Sequence, residues 1–554
     1  MQYSKRQPGP LRFLLVGPCD PHCGEYTFLA PPLGVWRLAG TLQSHGIEAQ
    51  IFDPNCCGAD VESAFEATLR SAPWDVIGIS TTGMTLRYDL ALAHQARRVV
   101  PNAVLVAGGM EATFEPQRVF ELGPPFDLIA LGEGEQPLLE IARRLASAGD
   151  LAGIGGTALR TQAGAVARFQ RAAMTKPELT AAIRATPYEL MPYEKYWQRL
   201  EKAYAVGSLP FKAEREARLA EIRSVRLITL NYCPMGCSFC SSTNFLHEAQ
   251  GSIASVARLD AADCLDMLKR IVSVQRDTRT VFFQDDIFVF TQDRRILPLC
   301  EAIIAAKESG ELPRGLEFIS TNRIDAMTPE RLAAMRRAGF RVLGFGIENF
   351  SLPVLKEFNK RPIHRHIEPV LTSALRLGIT PFLDLILTSP GSRLLDLVEN
   401  VNQATRWIAA GCEVGIYPYV IPFSGSAIAR DPELLPQTVY ESHSVPGTRL
   451  SWRQATKILP ADSRTRDAIL AIEERFERVQ RSLAGELPHI PSRTRAILWL
   501  HAAHQVLTEA GETVLAPDSL LAQLPPLLRR TGTRLASRPS CTASAQGAEL
   551  TAIA

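Results

Sequence analysis

The feature that most constrains this chain is a regular alternation of short apolar runs with amphipathic stretches, which appears twice and is interrupted once. In the first block, Phe13 to Gly17, Ile47 to Phe52, Asp75 to Ser80, Ala103 to Ala107 and Phe126 to Leu131 read as strands. Helical patterns over 31–45, 59–70 and 87–98 separate them. Strands that are apolar throughout and joined by helices imply a parallel sheet covered on both faces, with ligands beyond the carboxyl ends of the strands. The second block starts near residue 225. Val225 to Leu230, Thr280 to Gln284, Leu316 to Ser320, Val342 to Gly346, Pro381 to Leu387 and Val414 to Val420 alternate with helical patterns. Right-handed crossovers with that spacing curve about six strand–helix units into an open or closed barrel.

This division predicts an α/β chain in five parts: a sheet domain over 1–145, a connecting region over 146–222, a barrel domain over 223–429, a helical cap over 430–529 and a frayed tail over 530–554. The tail is rich in Thr, Ser, Ala and Arg, a composition that buries little apolar surface. Within the connecting region, TPYELMPYEKYW (186–197) carries more aromatics than a free linker needs, so it is expected to pack against a neighbour.

Charge excludes some functions. With 60 Lys+Arg against 58 Asp+Glu, no overall field gathers nucleic acid or a membrane surface. No apolar run approaches the roughly 18 residues of a membrane span. The 11 cysteines are odd in number and unevenly spaced, and the start of the chain lacks a secretory pattern. A cytoplasmic protein with reduced thiols is therefore expected, not a disulfide-stapled one.

Three of those cysteines stand out. In ITLNYCPMGCSFCSS, Cys233, Cys237 and Cys240 are separated by three and then two residues, directly after a strand. A loop of that spacing can gather three thiolates round one metal centre and leave a coordination position for something else. Structural zinc takes four protein ligands as a rule, and His247 is the nearby histidine. Soft thiolates at a strand end fit an iron–sulfur cluster better, the plain alternative being unrelated buried thiols. Pro234 and Gly236 turn the loop, and Phe239 can shield a cluster from water.

This C-x3-C-x2-C pattern, with an aromatic residue before its last cysteine, resembles that of the radical S-adenosylmethionine (SAM) enzymes. The resemblance implies a partial TIM barrel, (β/α)6, in which Cys233, Cys237 and Cys240 hold a [4Fe–4S] cluster. It also implies SAM bound at the fourth iron, cleavage to a deoxyadenosyl radical, and an external one-electron reductant such as flavodoxin or ferredoxin. By the same resemblance, Asp285 and Asp286 of FFQDDIF lie near the amino group of SAM and Glu348 of VLGFGIE near its adenosine. Arg323 of STNRID then lies near its carboxylate, and Lys360 of KEFNKR is a similar candidate. A carboxylate accepting from an ammonium or a ribose hydroxyl is sound chemistry, the alternative for each being a solvent-facing loop charge. The fifth strand departs from the family's Gly-x-Pro-Gly-Glu-Thr turn: it keeps Pro390 and Gly391 but has Ser392 and Arg393 after them. IPFSGSA, with Pro422 and Gly425, resembles the family's element after the sixth strand.

The first block has no G-x-G-x-x-G turn. Its segments PPLGVWRLAGTLQSHG, DVIGISTTGMTLR, VLVAGGMEAT and LIALGEGE, placed before such a barrel, resemble the cobalamin-binding subfamily of these enzymes. That implies a Rossmann-like domain whose cobalamin rim is drawn from Ser80, Thr81, Thr82, Gly83, Arg87, Gly108, Gly109, Glu111, Glu133 and Gly134. The Asp-x-His-x-x-Gly motif that supplies histidine to cobalt is absent, with His22 and His45 out of context, which implies cobalamin without a protein histidine ligand. The implied activity is methyl transfer from SAM, by way of methylcobalamin, to a carbon centre of a small-molecule, peptide or natural-product precursor. The alternatives are non-radical methylation of an aromatic substrate such as tryptophan, an oxidative ring-forming reaction of the magnesium-protoporphyrin cyclase type, and a non-enzymatic corrinoid or iron–sulfur protein. Tyr417, Tyr419, Phe423 and Trp452 are candidates for lining a substrate cavity, with core packing as the alternative.

Overall fold

The computed structural model describes residues 10–21, 29–58, 60–209, 211–361, 363–483, 492–522 and 524. His22 and the expected tail over 530–554 lie outside them.

Seven strands form the first sheet: β1 (Arg12–Val16), β2 (Glu48–Phe52), β3 (Val76–Thr81), β4 (Val104–Gly109), β5 (Leu128–Ala130), β6 (Thr157–Arg160) and β7 (Val166–Phe169). Their order is β2-β1-β3-β4-β5-β6-β7. The first five are parallel and the last two antiparallel, so the sheet is mixed. The chain reverses its direction of travel across the sheet between β1 and β3, the place where sheets of this kind open a crevice. Two apolar layers flank it. Phe65, Leu90, Leu105 and Phe120 are buried on one face, and Val35, Leu42, Val106, Leu138 and Ile141 on the other. The expected all-parallel sheet ending at 145 is thus corrected: β6 and β7 come from the supposed connecting region and cover the edge that β5 would leave unpaired.

The rest of that region is a clasp. Tyr188, Tyr193, Tyr196 and Trp197 are buried. Tyr196 Oη donates to Asp53 Oδ2 at 2.7 Å in the first domain, while Tyr188 Oη donates to the Arg226 carbonyl at 2.9 Å in the second. The aromatics of 186–197 therefore join two sheets.

The second sheet contains β8 (Ser224–Leu227), β9 (Thr280–Phe283), β10 (Glu317–Asn322), β11 (Phe340–Glu348), β12 (Thr380–Ile386) and β13 (Glu413–Tyr417). All neighbours are parallel and the strands run in sequence order, with β8 and β13 as the edges. A helix of 10 to 17 residues follows most strands, for example Ala261–Val274, Pro329–Ala338 and Leu394–Ala410. Phe283 stacks on Phe288 at 4.3 Å and on Phe340 at 5.9 Å in the core of this domain. These are the expected strand–helix units in an open sheet.

The stretch over 430–529 is not wholly helical. It opens with an antiparallel hairpin, β14 (Thr438–Ser444) and β15 (Ser451–Ile458), before the helices Ser463–Leu483 and Ser492–Glu509. The signal for the hairpin was SVPGTRLS, a Pro-Gly turn between two β-patterned runs. The second of those helices lies along β13, where Arg493 donates to the Cys412 carbonyl at 2.9 Å. No helix among the described residues is long and apolar enough to cross a membrane.

Candidate active site

The loop after β8 brings Cys233, Cys237 and Cys240 to the wall of one cavity of about 380 Å³, at the carboxyl ends of the parallel strands. Its shape is fixed by the chain around it. Thr243 Oγ1 accepts from Gly236 N at 3.1 Å and donates to the Cys233 carbonyl at 2.8 Å. Asn359 Nδ2 donates to the Gly236 carbonyl at 2.9 Å, and Ser238 N donates to the Phe358 carbonyl at 3.0 Å. Phe239 sits edge-on to Phe358 at 5.1 Å and also faces the cavity.

Burial pushes the Cys233 thiol up to about 12 and raises Cys237 and Cys240 as well, with Lys360 and Arg323 acting in the opposite sense on Cys237. Among the described residues, no three His, Cys, Asp or Glu side chains stand close enough to hold a single ion. Three soft donors spread along one cavity wall suit a multi-iron cluster, which takes each thiolate on a different iron, better than one zinc. The residues present fit that group.

Four further expected residues share this cavity: Asp286, Arg323, Glu348 and Lys360. Asp285 does not. Adjacent residues at a strand end point to opposite sides, and Asp285 turns inward to accept from Thr229 N at 2.6 Å and Thr229 Oγ1 at 2.5 Å. Arg295 lies beneath it and donates to Thr229 Oγ1 at 2.9 Å, so Asp285 belongs to a buried polar network. Asp286 faces the cavity beside Ser242. Arg323 is held by both oxygens of Asp325, at 2.8 Å each, and its third nitrogen rests on Met235 Sδ of the cysteine loop at 3.3 Å.

Glu348 owes its position to a backbone irregularity. The pairing of β11 with β12 shifts register between Gly346 and Glu348, and Glu348 adopts φ +62°. A left-handed glutamate is strained, and such strain concentrates at functional sites. Here it turns the carboxylate onto Lys360 Nζ at 2.8 Å. A Cβ on Gly346 would stand 2.5 Å from Glu348 Oε1 and 3.1 Å from Lys360 Nζ. Gly346→Ala is therefore expected to displace the ion pair, cost about 1–3 kcal/mol by overpacking, and weaken binding of S-adenosylhomocysteine. Thermal melting and calorimetry check the two effects separately.

Tyr417, Tyr419 and Phe423 line the same cavity, whereas Trp452 does not. Trp452 sits on β15 and packs against the first domain near Val445 and Leu450. Asp384, which sequence reasoning passed over, also faces the cavity from the middle of β12. An acidic residue inside an otherwise apolar strand, TPFLDLI, was the signal. The SPGS turn lies outside the cavity lining, since Ser389 Oγ and Gly391 N bind Glu357 at 2.5 and 3.1 Å.

At the carboxyl edge of the first sheet, a cavity of about 190 Å³ opens between the strands and the helix Leu33–Ser44. Ser80, Gly108, Gly109, Glu133 and Gly134 line it. Gly109 has φ +92°, and a Cβ there would stand 2.5 Å from the Thr81 carbonyl, so only glycine fits this strand end. Glu133 Oε2 accepts from Met174 N at 2.6 Å while its buried Oε1 has no partner, and burial pushes this carboxyl up to about 7. A narrow small-residue cradle with an orphaned acceptor fits the amide-bearing edge of a corrinoid.

The other rim candidates stand elsewhere. Thr81 is buried and ties Gly108 to Ala112. Thr82 belongs to the turn held by Asp89. Glu111 is buried against Arg118 at 2.9 Å, and Arg87 lies over the Tyr88 ring. Gly83 meets the hairpin, its carbonyl accepting from Gln454 Nε2 at 2.9 Å.

One helix links the two cavities. Ser242–Gln250 leaves the cysteine loop directly, Asn244 Nδ2 donates to the Gly425 carbonyl at 2.6 Å, and Phe245 lines the cavity of the first sheet. Phe245 also packs edge-on against Phe114 of the first domain at 6.2 Å.

A sheet with a small-residue cradle and a parallel sheet with three cysteines along one cavity wall are the layout of a cobalamin-binding domain joined to a radical SAM domain. Residues 22–142 match the B12 binding domain, and residues 227–403 match the Radical SAM superfamily. The chain is a cobalamin-binding radical SAM enzyme.

Its curated relatives include an uncharacterized methyltransferase of Pyrococcus horikoshii, 23% identical over 377 residues that cover 68% of this chain and 73% of the relative. The anaerobic magnesium-protoporphyrin IX monomethyl ester cyclase of Rubrivivax gelatinosus is 24% identical over 383 residues, 68% of this chain and 62% of the cyclase. Among solved structures, the methyltransferase TsrM of Kitasatospora setae, with cobalamin and a [4Fe-4S] cluster bound, aligns with TM-score 0.61 at 14% identity over 91% of this chain and 99% of that one. The enzyme OxsB, with aqua-cobalamin and SAM bound, aligns with TM-score 0.61 at 15% identity over 95% and 83%. At these identities the structural likeness speaks for the fold.

Proposed function

We propose that the enzyme transfers a methyl group from SAM, by way of cobalamin, to a carbon centre of a small-molecule or natural-product precursor. The observation that carries this reading is the helix Ser242–Gln250, which begins beside Cys240 and presents Phe245 to the cobalamin-type cavity. At a rise of about 1.5 Å per residue the two sites lie within roughly 10 Å along that path. When bound, the cluster would supply an electron for carbon–sulfur cleavage and the corrinoid would carry the methyl group.

The chain's own residues bind and orient. In this reading Asp286 accepts from the SAM ammonium, and the Glu348–Lys360 pair, which lines the same cavity, meets the ribose. Arg323, fixed by Asp325, braces the cysteine loop through Met235. Tyr417, Tyr419 and Phe423 form an apolar wall for a substrate and limit water. An external flavodoxin or ferredoxin completes the reading as electron donor.

Methylation without hydrogen abstraction is the second reading, favoured by the SPGS turn folding onto Glu357 instead of the cavity. Anaerobic incubation with methyl-labelled SAM and an extract of the producing cell separates the two. Labelled product with S-adenosylhomocysteine alone supports the second, added deoxyadenosine in step with product supports the first, and deoxyadenosine with unlabelled product refutes methyl transfer.

A further inference from the structure

Five charged side chains face the cavity under the cysteine loop: Asp286, Arg323, Glu348, Lys360 and Asp384. Arg323 is matched by Asp325 and Lys360 by Glu348, each at 2.8 Å. Asp286 lies beside Ser242 at the cysteine loop. Asp384 differs. Among the described residues no hydrogen-bond or ion-pair partner reaches it, although it lies in the middle of β12 with its side chain in the cavity.

The fold makes room for this lone carboxylate. β12 alternates, so Phe382, Asp384 and Ile386 share one face. On the neighbouring strand a Cβ at Gly415 would stand 3.2 Å from Asp384 Oδ1 and 3.3 Å from the Phe382 ring. Burial, reinforced by the nearby Glu348 charge and opposed by Lys360, pushes the carboxyl up to about 7. Asp384 is half-buried and open to the cavity, and carboxylates left without a donor in a cleft are candidates for groups that a ligand completes. Tyr417 and Tyr419 stand on the same wall.

We propose that Asp384 determines substrate specificity, accepting a hydrogen bond from a protonated amine carried on an aromatic body that lies against Tyr417 and Tyr419. The inference rests on the reading above, in which SAM and substrate meet in this cavity. SAM itself also offers an ammonium and ribose hydroxyls, so the test must tell the two donors apart.

The probes are phenethylamine and 3-phenylpropionate, which share a ring and differ in the sign of their charge. Each is titrated by calorimetry into the anaerobically reconstituted full chain holding cluster, cobalamin and S-adenosylhomocysteine. The amine is expected to bind at least about tenfold tighter than the acid, and Asp384→Asn should erase that preference with iron content and S-adenosylhomocysteine affinity unchanged. Asp384→Ala guards against misfolding: loss of a half-buried carboxylate with no partner should leave the melting temperature equal or higher. Equal affinity of the two probes, a preference surviving in Asp384→Asn, or an equal loss of S-adenosylhomocysteine binding overturns the proposal. If the unmodified protein assembles no cluster or binds no S-adenosylhomocysteine, the proposed function itself fails, and this inference with it.

Discussion

Alanine at Cys237 is expected to bring the iron content after anaerobic reconstitution from about four per chain to near none, and reductive cleavage of SAM to background. The same holds for Cys233 and Cys240, because the three thiolates are the only cysteine donors among the described residues lining this cavity. Iron and sulfide analysis, with the visible absorbance of the cluster, checks this directly. Thr243→Val provides the contrast. It removes the hydroxyl that joins Gly236 N to the Cys233 carbonyl, two hydrogen bonds worth about 1 kcal/mol each. That variant should assemble the cluster and lose it faster in air. Full iron content in any of the three alanine variants would show that the loop holds something else.

Leucine at Gly108 is expected to have the second largest effect, on the other cofactor. A Cβ at Gly108 would meet Ala130 at 3.9 Å, an ordinary contact, so the strand tolerates it. The rest of the leucine then occupies a cavity of only about 190 Å³. Corrinoid uptake should fall at least about tenfold, with the iron content and melting temperature preserved. Gly109→Ala acts differently. Its φ of +92° and the approach to the Thr81 carbonyl strain the backbone itself, at about 1–3 kcal/mol. Corrinoid absorbance after gel filtration separates a filled cavity from a damaged strand. Unchanged uptake by Gly108→Leu would place the corrinoid elsewhere.

The parts of this site visible in the sequence were those written in local spacing. C-x3-C-x2-C needs only a loop, and strand–helix alternation needs only periodicity. What the sequence left open depends on register. Asp285 and Asp286 are chemically alike and adjacent, and only the direction of the strand end decides that one faces the cavity and the other Thr229. The rim divided similarly, with Ser80 and Gly108 lining the cradle and Thr81 buried beneath it. Asp384 was missed because a single charge in a strand looks like an exposed edge until the sheet is assembled. Trp452 was misplaced because the hairpin that carries it crosses to the first domain, a long-range contact that no local pattern records.

Passage of a methyl group from SAM to a corrinoid on the first domain can be tested without knowing the substrate. The anaerobically reconstituted full chain is reduced in the presence of SAM bearing a trideuterated methyl group, and the protein-bound corrinoid is extracted in the dark for mass spectrometry. A corrinoid carrying the trideuteromethyl group is expected, formed in step with S-adenosylhomocysteine and absent in Gly108→Leu. An unlabelled corrinoid alongside deoxyadenosine and methionine would contradict it.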